Sequence, residues 1–326
     1  MNNFKYNYVI CGSGGYYIYG YKDAMNLPNV SYHKNRYAGF NSLFSRILLR
    51  LCFSKKINKI YKNPFSSFVY PRLFPNSFPK ETLICFLFFG NLQDIYQSTY
   101  IEYLRRNYPN VKVVLYMQDL VARNRYLNFE KCRNQFDEIF SYDKSDCFKY
   151  GLKYHPTPMS KVEQPLSMNT KPSDFFFCGS AKNRLNTIHK IYDFLTEQGY
   201  VCDFVILDPP KDAQLRTGIN YRRHPISYEE NLSRVAGTSC VVEIMQQNAD
   251  GFTPRLWESI IFDKHLLSNN SSIADSQYYY PSTMHIISDD FVSFDTTWLH
   301  SCSKTPEILK TSLSPISLLK FIDNQI

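Results

Sequence analysis

Asp174-Phe175-Phe176-Phe177-Cys178-Gly179-Ser180-Ala181-Lys182-Asn183-Arg184 begins as an apolar run of strand length. Such a run marks a strand entering the glycine that follows it. Gly179-Ser180 reads as a turn, and Asn183 to Gln198 as a helix closed by Gly199 in the capping position. The rhythm continues downstream. Val201 to Leu207 is a strand stopped by Pro209-Pro210, Tyr228 to Ala236 a helix, and Ser239 to Met245 a strand. Pro254 to Phe262 is a helix and His265 to Ser268 a strand. Upstream, strands are expected at Tyr8 to Cys11, Thr82 to Phe89, Val111 to Tyr116 and Glu138 to Tyr142. Helices are expected at Tyr96 to Tyr108 and Asn128 to Gln135. Strands alternating with helices predict α/β architecture with parallel sheets.

Residues 153–173 interrupt the rhythm with Pro156, Pro158, Pro165 and Pro172, the best linker in the chain. The 326 residues suit two domains. The expected division is residues 1–158 and 159–326, with a last helix that can cross back to the first domain. Charge changes sign at the same place. The whole chain has 37 Lys and Arg against 29 Asp and Glu, a net charge of +8. Residues 1–165 hold 23 against 11, a net of +12, and residues 166–326 hold 14 against 18, a net of −4. Residues 24–80 contain ten Lys and Arg and no carboxylate. A basic half of this kind suits a polyanion or an anionic surface.

The composition excludes several classes. Aromatic residues at 16% are too many for a disordered chain. No run of 18 apolar residues predicts a transmembrane helix. The N-terminus lacks the apolar core and cleavage site of a signal peptide, so a cytoplasmic protein is expected, peripheral at most to the inner face of the membrane. Nine scattered cysteines with no CxxC pair read as reduced and buried.

Five segments can carry chemistry. In the first, Gly179, Ser180, Lys182 and Arg184 join a strand end to a helix start, where backbone N–H groups and cations receive phosphate. The second runs from Glu243 through Gln247, Asp250, Gly251, Thr253 and Arg255 to Glu258. Here Thr253 is the N-cap and Pro254 the first helical residue. The third, Gly12-Ser13-Gly14-Gly15, is either an anion or acceptor cradle or a plain tight turn. The fourth is Asp119, just past a strand end, either a general base or a cap; Asp143 and Asp146 read as caps. The fifth is an amphipathic stripe of Phe40, Leu43, Phe44, Ile47, Leu48 and Leu51, within a basic segment spanning 40–62. Either it packs on its own domain, or Phe44, Arg46, Arg50, Lys55 and Lys56 meet an anionic membrane. His224-Pro225 is a weak signal beside these.

Phe177-Cys178-Gly179 with Arg184, Ile226-Ser227-Tyr228-Glu229, Gly251-Phe252-Thr253-Pro254-Arg255 with Glu258, and His265 to Asn270 together resemble bacterial GT-B glycosyltransferases of lipopolysaccharide and capsule synthesis. Phe136 to Ile139 and Lys149 to Leu152 match more loosely. The resemblance implies two Rossmann-like domains facing across a cleft and a nucleotide-sugar donor. It places Gly179 and Arg184 on phosphate, Thr253 and Arg255 on the diphosphate region, and Glu258 on ribose. Asp250 stands where many retaining members have Glu, which leaves the stereochemical course open. The acceptor implied is a glycan or a lipid-linked molecule. No DxD occurs, so neither a metal nor a cofactor is required. The rivals are a non-catalytic module that grips RNA through the basic half, which no RRM, KH or OB pattern supports, and an inactive partner subunit in polysaccharide assembly.

Overall fold

The computed structural model describes residues 4–12, 16–123, 129–160, 171–213, 215–245, 251–288, 294–301 and 304–326. The chain forms two compact units, Met1–Ser160 with Ser314–Ile326, and Lys161–Leu313. Each is built on a parallel six-stranded sheet with helices, so the chain is α/β with two Rossmann-like units.

In the first unit the strands are β1 (Asn7–Cys11), β2 (Val30–His33), β3 (Ile84–Phe89), β4 (Val111–Met117), β5 (Glu138–Ser141) and β6 (Lys153–Tyr154), in the order β2-β1-β3-β4-β5-β6. Alternate residues bury opposite faces. Val9, Phe86, Phe88, Val113 and Leu115 enter one cluster. Tyr8, Ile10, Leu87, Phe89 and Val114 enter the other. The second face is covered by the helix Pro315–Gln325 through Leu318, Leu319 and Ile322. Tyr8 fastens that helix by donating its hydroxyl to the Leu319 carbonyl at 2.8 Å and to Asp323 at 2.6 Å.

Three expectations are corrected in this unit. The helix expected over Tyr96 to Tyr108 is two helices, Gln93–Tyr96 and Tyr100–Asn107. Between them, Ser98 Oγ accepts from Tyr100 N at 3.1 Å, and Asn63 Oδ1 accepts from Thr99 N at 3.3 Å. Side chains that bond the backbone locally compete with the helical ladder. The proposed linker starts late: β6 and His155, whose N–H donates to the Ser141 carbonyl at 3.0 Å, extend the sheet into it. The amphipathic helix, Leu43–Cys52, is rotated from its expected phase. Its buried arc is Ser45, Leu48, Leu49 and Cys52, while Leu43, Phe44 and Ile47 face outward.

Gly12 follows β1, and its N–H donates to the His33 carbonyl at 2.7 Å. A Cβ at this position would collide with that carbonyl, so close backbone approach requires glycine here. Ser13, Gly14 and Gly15 lie outside the described residues. Gly12→Ala is therefore expected to lower stability by about 1–3 kcal/mol. Urea denaturation measures this, and an unchanged midpoint would refute the steric account.

The second unit holds β7 (Ser173–Ser180), β8 (Cys202–Leu207), β9 (Asn220–Arg222), β10 (Thr238–Glu243), β11 (His265–Ser268) and β12 (Met284–Ile286), ordered β12-β11-β10-β7-β8-β9. Gly179-Ser180, expected as a turn, continues β7 and pairs with Ile206 and Leu207 of β8. The helix after it is Leu185–Glu197, preceded by a 3-10 turn at Lys182–Arg184. Past its end Gly199 sits at φ +86°, as its role in helix termination requires. The eight described cysteines are free, and no described helix is long and apolar enough to cross a membrane.

Candidate functional site

The strand order of the second unit fixes where a ligand can bind. β7 and β10 are neighbours, with β8 and β9 beyond one and β11 and β12 beyond the other. Connections leaving β7 and β10 diverge at such a switch point, opening a crevice at the carboxyl ends of the strands. A cavity of 370 Å³ is lined there by the ends of β7 and β8 and by the first turns of the helices Tyr228–Gly237 and Pro254–Ile261. This volume falls within the range of small-molecule sites.

Two arginines cross the seam in opposite directions. Arg184, at the start of the helix after β7, donates Nε to the Ser180 carbonyl at 3.1 Å and Nη1 to the Ile244 carbonyl beyond β10. Arg255, in the helix after β10, donates Nη2 to the Cys178 carbonyl on β7. Both guanidinium groups stand over the Phe177 ring, 5.8 Å and 5.5 Å from its centroid. A Cβ on Gly179 would lie 2.8 Å from Arg255 and 2.9 Å from Arg184. Glycine is needed here because the arginines lie against it. Burial, then the neighbouring Arg255 charge, lowers the Arg184 pKa to about 10. Among the described residues neither arginine has a carboxylate in ion-pair range. Two adjacent cations with no carboxylate in ion-pair range, at the wall of a cavity, make a locally positive surface that a polyanionic group would complement. Lys182 is exposed at the same rim.

Glu258 supplies the opposite chemistry. It lines the cavity at 2% exposure and accepts on Oε1 from Tyr228 Oη at 2.9 Å and from Asn231 Nδ2 at 3.0 Å. Burial raises its pKa to about 7, against the pull of Arg255 and both hydrogen bonds. Oε2 has no donor among the described residues, which leaves an acceptor for a hydroxyl of a bound ligand.

Gly179, Ser180, Lys182, Arg184, Arg255 and Glu258 thus meet around one cavity. Glu243, Gly251 and Thr253, expected beside them, are not among its lining residues. Glu243 is fully buried, accepting from the Thr253 hydroxyl on Oε1 and from Ser268 Oγ on Oε2 at 2.6 Å. Thr253 Oγ1 in turn accepts from Arg255 N at 3.2 Å as the helix N-cap. Both carboxylate oxygens are engaged, so Glu243 positions the helix that carries Arg255 and Glu258. The Gly251 carbonyl accepts from Asn270 Nδ2 at 3.2 Å. Gln247 and Asp250 lie outside the described residues.

Sequence reasoning assigned no role to Tyr228 and Asn231. Their spacing of three after the Ser227 N-cap was the available signal, since such residues are neighbours on a helix surface. His224 is exposed, and Pro225 lines the cavity. In the first unit, Asp119 is exposed beyond the end of β4. Asp143 caps the helix Lys144–Tyr150 by accepting from Asp146 N at 2.8 Å, and Asp146 accepts from Val121 N at 2.7 Å. No group of three His, Cys, Asp or Glu among the described residues is arranged to hold a metal ion.

No family model matches the chain, and no curated protein matches it. Among solved structures it is similar to a UDP-forming alpha,alpha-trehalose-phosphate synthase from Burkholderia vietnamiensis, with 10% identity over 98% of this chain and 99% of that one and a TM-score of 0.47. It is similar to AviGT4, a glycosyltransferase involved in avilamycin A biosynthesis, with 10% identity over 74% of this chain and 83% of that one and a TM-score of 0.46. It is also similar to the Gap123 glycosylation-associated complex of Streptococcus agalactiae, with 9% identity, 72% of this chain covered and a TM-score of 0.41. The match spans about half of that last chain, 52%. Likeness at this level says nothing of substrate.

Proposed function

We propose that the chain is a glycosyltransferase that takes a sugar from a nucleotide-sugar donor and passes it to a glycan or a lipid-linked acceptor, in the building of bacterial surface polysaccharide. The observation that carries the reading is the pair Arg184 and Arg255, two cations without a carboxylate partner among the described residues, beside the buried carboxyl of Glu258. A nucleoside diphosphate offers this pair its matching groups: a diphosphate for the guanidinium groups and ribose hydroxyls for Glu258.

In the reaction proposed, an acceptor hydroxyl loses its proton to a general base and its oxygen bonds to the anomeric carbon. The bond from that carbon to the donor phosphate breaks, and the nucleoside diphosphate leaves with the electron pair. Charge grows on the diphosphate oxygens as the bond breaks. Cations already fixed around them stabilise that charge more than the ground state. Asp119 is the base we propose: it is exposed at the carboxyl end of β4, the edge of an open α/β sheet where ligands bind.

Calorimetric titration with UDP-, GDP- and dTDP-sugars, followed by a transfer assay, tests the reading. One donor is expected to bind at about 1 μM to 1 mM, the usual range of enzyme substrates. Asp119→Asn should retain that binding and lose transfer. Binding of none of these donors would remove the glycosyltransferase reading, and wild-type transfer by Asp119→Asn would remove Asp119 from it.

A further inference from the structure

The helix Leu43–Cys52 and the segment after it expose an apolar surface set among cations. Ser45, Leu48, Leu49 and Cys52 already bury this helix against the first unit. Its outward side still carries Leu43 at 76% and Phe44 at 66% exposure, with Ile47 beside them. At 3.6 residues per turn these three share one arc, and Arg46 and Arg50 border it on one side. The helix packs against the 3-10 turn Ile57–Lys59, which leads into Ile60 at 89% and Tyr61 at 70% exposure. Large apolar groups are thus in water at two neighbouring places on one unit, although the helix has a complete buried arc of its own.

The charge around them has one sign. Arg46, Arg50, Lys56, Lys59 and Lys62 are exposed, and none has an ion-pair partner among the described residues. Residues 24–80 contain no carboxylate to oppose them. Apolar side chains ringed by cations match a layer whose outer plane is anionic and whose inside is hydrocarbon. A nucleic acid would use the cations and leave Leu43, Phe44 and Ile60 in water.

We propose that this surface docks the protein on a bilayer containing anionic lipid, with Leu43, Phe44, Ile47, Ile60 and Tyr61 entering the headgroup boundary and the cations meeting phosphate. The docking is independent of the donor site, since none of these residues belongs to the second unit.

Co-sedimentation tests it with vesicles of phosphatidylcholine alone and of phosphatidylcholine and phosphatidylglycerol in equal parts. The wild-type protein is expected to pellet with the anionic vesicles at least ~10-fold more than with the neutral ones, and high salt should weaken the binding. Two variants separate the contributions, Leu43→Ser with Phe44→Ser and Ile47→Ser, and Arg50→Gln with Lys56→Gln and Lys59→Gln. Each is expected to lose most of the binding with an unchanged melting temperature, because the side chains replaced are exposed. Phe44→Trp adds an optical reading: its emission should shift to shorter wavelength on anionic vesicles. Equal partition onto both vesicles, wild-type binding by both triple variants, or RNA binding without vesicle binding would each overturn the proposal.

Discussion

Replacing Arg184 and Arg255 together by Ala is expected to weaken nucleoside diphosphate binding by at least ~100-fold, because a hydrogen bond to a charged group is worth about 1.5–3 kcal/mol and two are lost. The apo protein should respond much less. Arg184 is held charged in a half-buried place next to a like charge, and its lowered pKa records that penalty. Removing the pair relieves the penalty but also removes the bonds to the Ser180, Ile244 and Cys178 carbonyls, so the two effects oppose each other and the melting temperature should change little while binding collapses. Gly179→Ala approaches the same end by another route. The added methyl meets the ends of the two arginine side chains, which can swing away. The fold should survive while the guanidinium groups lose their positions. Calorimetric titration with the bound nucleoside diphosphate, paired with thermal melts, reads both effects. Wild-type affinity in the double variant would place the diphosphate elsewhere.

Glu258→Gln is expected to abolish a pH dependence that the wild-type protein shows. Below a pH of about 7 the Glu258 carboxyl holds its proton in the folded chain. A ribose hydroxyl donates better to a carboxylate than to a neutral acid, so donor affinity should rise as pH increases through that value. Stability should move the opposite way. The folded pKa lies above the ordinary 4.5, so between these values the folded chain keeps a proton that the unfolded chain has lost. Rising pH across this window therefore removes up to about 3 kcal/mol of stability. The Gln variant cannot ionise, so this contribution vanishes, and at pH above 7 it should melt higher than wild type while binding donor more weakly. Affinity and melting temperature measured across this pH range decide the matter. Equal slopes in the two proteins would show that Glu258 is not the titrating group.

The strands legible in the sequence are those buried on both faces. Phe175-Phe176-Phe177 and Ile84 to Phe89 are continuous apolar runs because every residue is buried, and Val111 to Met117 is interrupted only at Lys112, whose amine reaches Asp137. β2, β6, β9 and β12 went unread. They have two to four residues and partly exposed side chains, so local composition does not separate them from loop. The Leu43–Cys52 helix failed differently. Its period was readable and its phase was not, because Leu and Ile occupy both the arc that meets core and the arc that meets water. At the site, Arg184, Arg255 and Glu258 stood out by their places next to strand ends. The role of Glu243 did not, since an acid beside a capped helix looks the same whether it faces a ligand or holds the cap. Only its bonds to Thr253 and Ser268 distinguish the two.

The crossed arginines also bear on the order in which the second unit acquires competence. A ribosome releases β7, β8 and β9 well before β10, so Arg184 emerges while its acceptor at Ile244 has yet to be made. Arg255 comes later still and must reach back to Cys178. Under the proposed function, nucleotide binding would wait on the pairing of β7 with β10, a contact between segments distant in the chain and slow to form. A nascent chain halted before residue 254 would display half of the receptor and hold nothing. Ligand capture by an arrested chain series would mark the moment at which the seam closes.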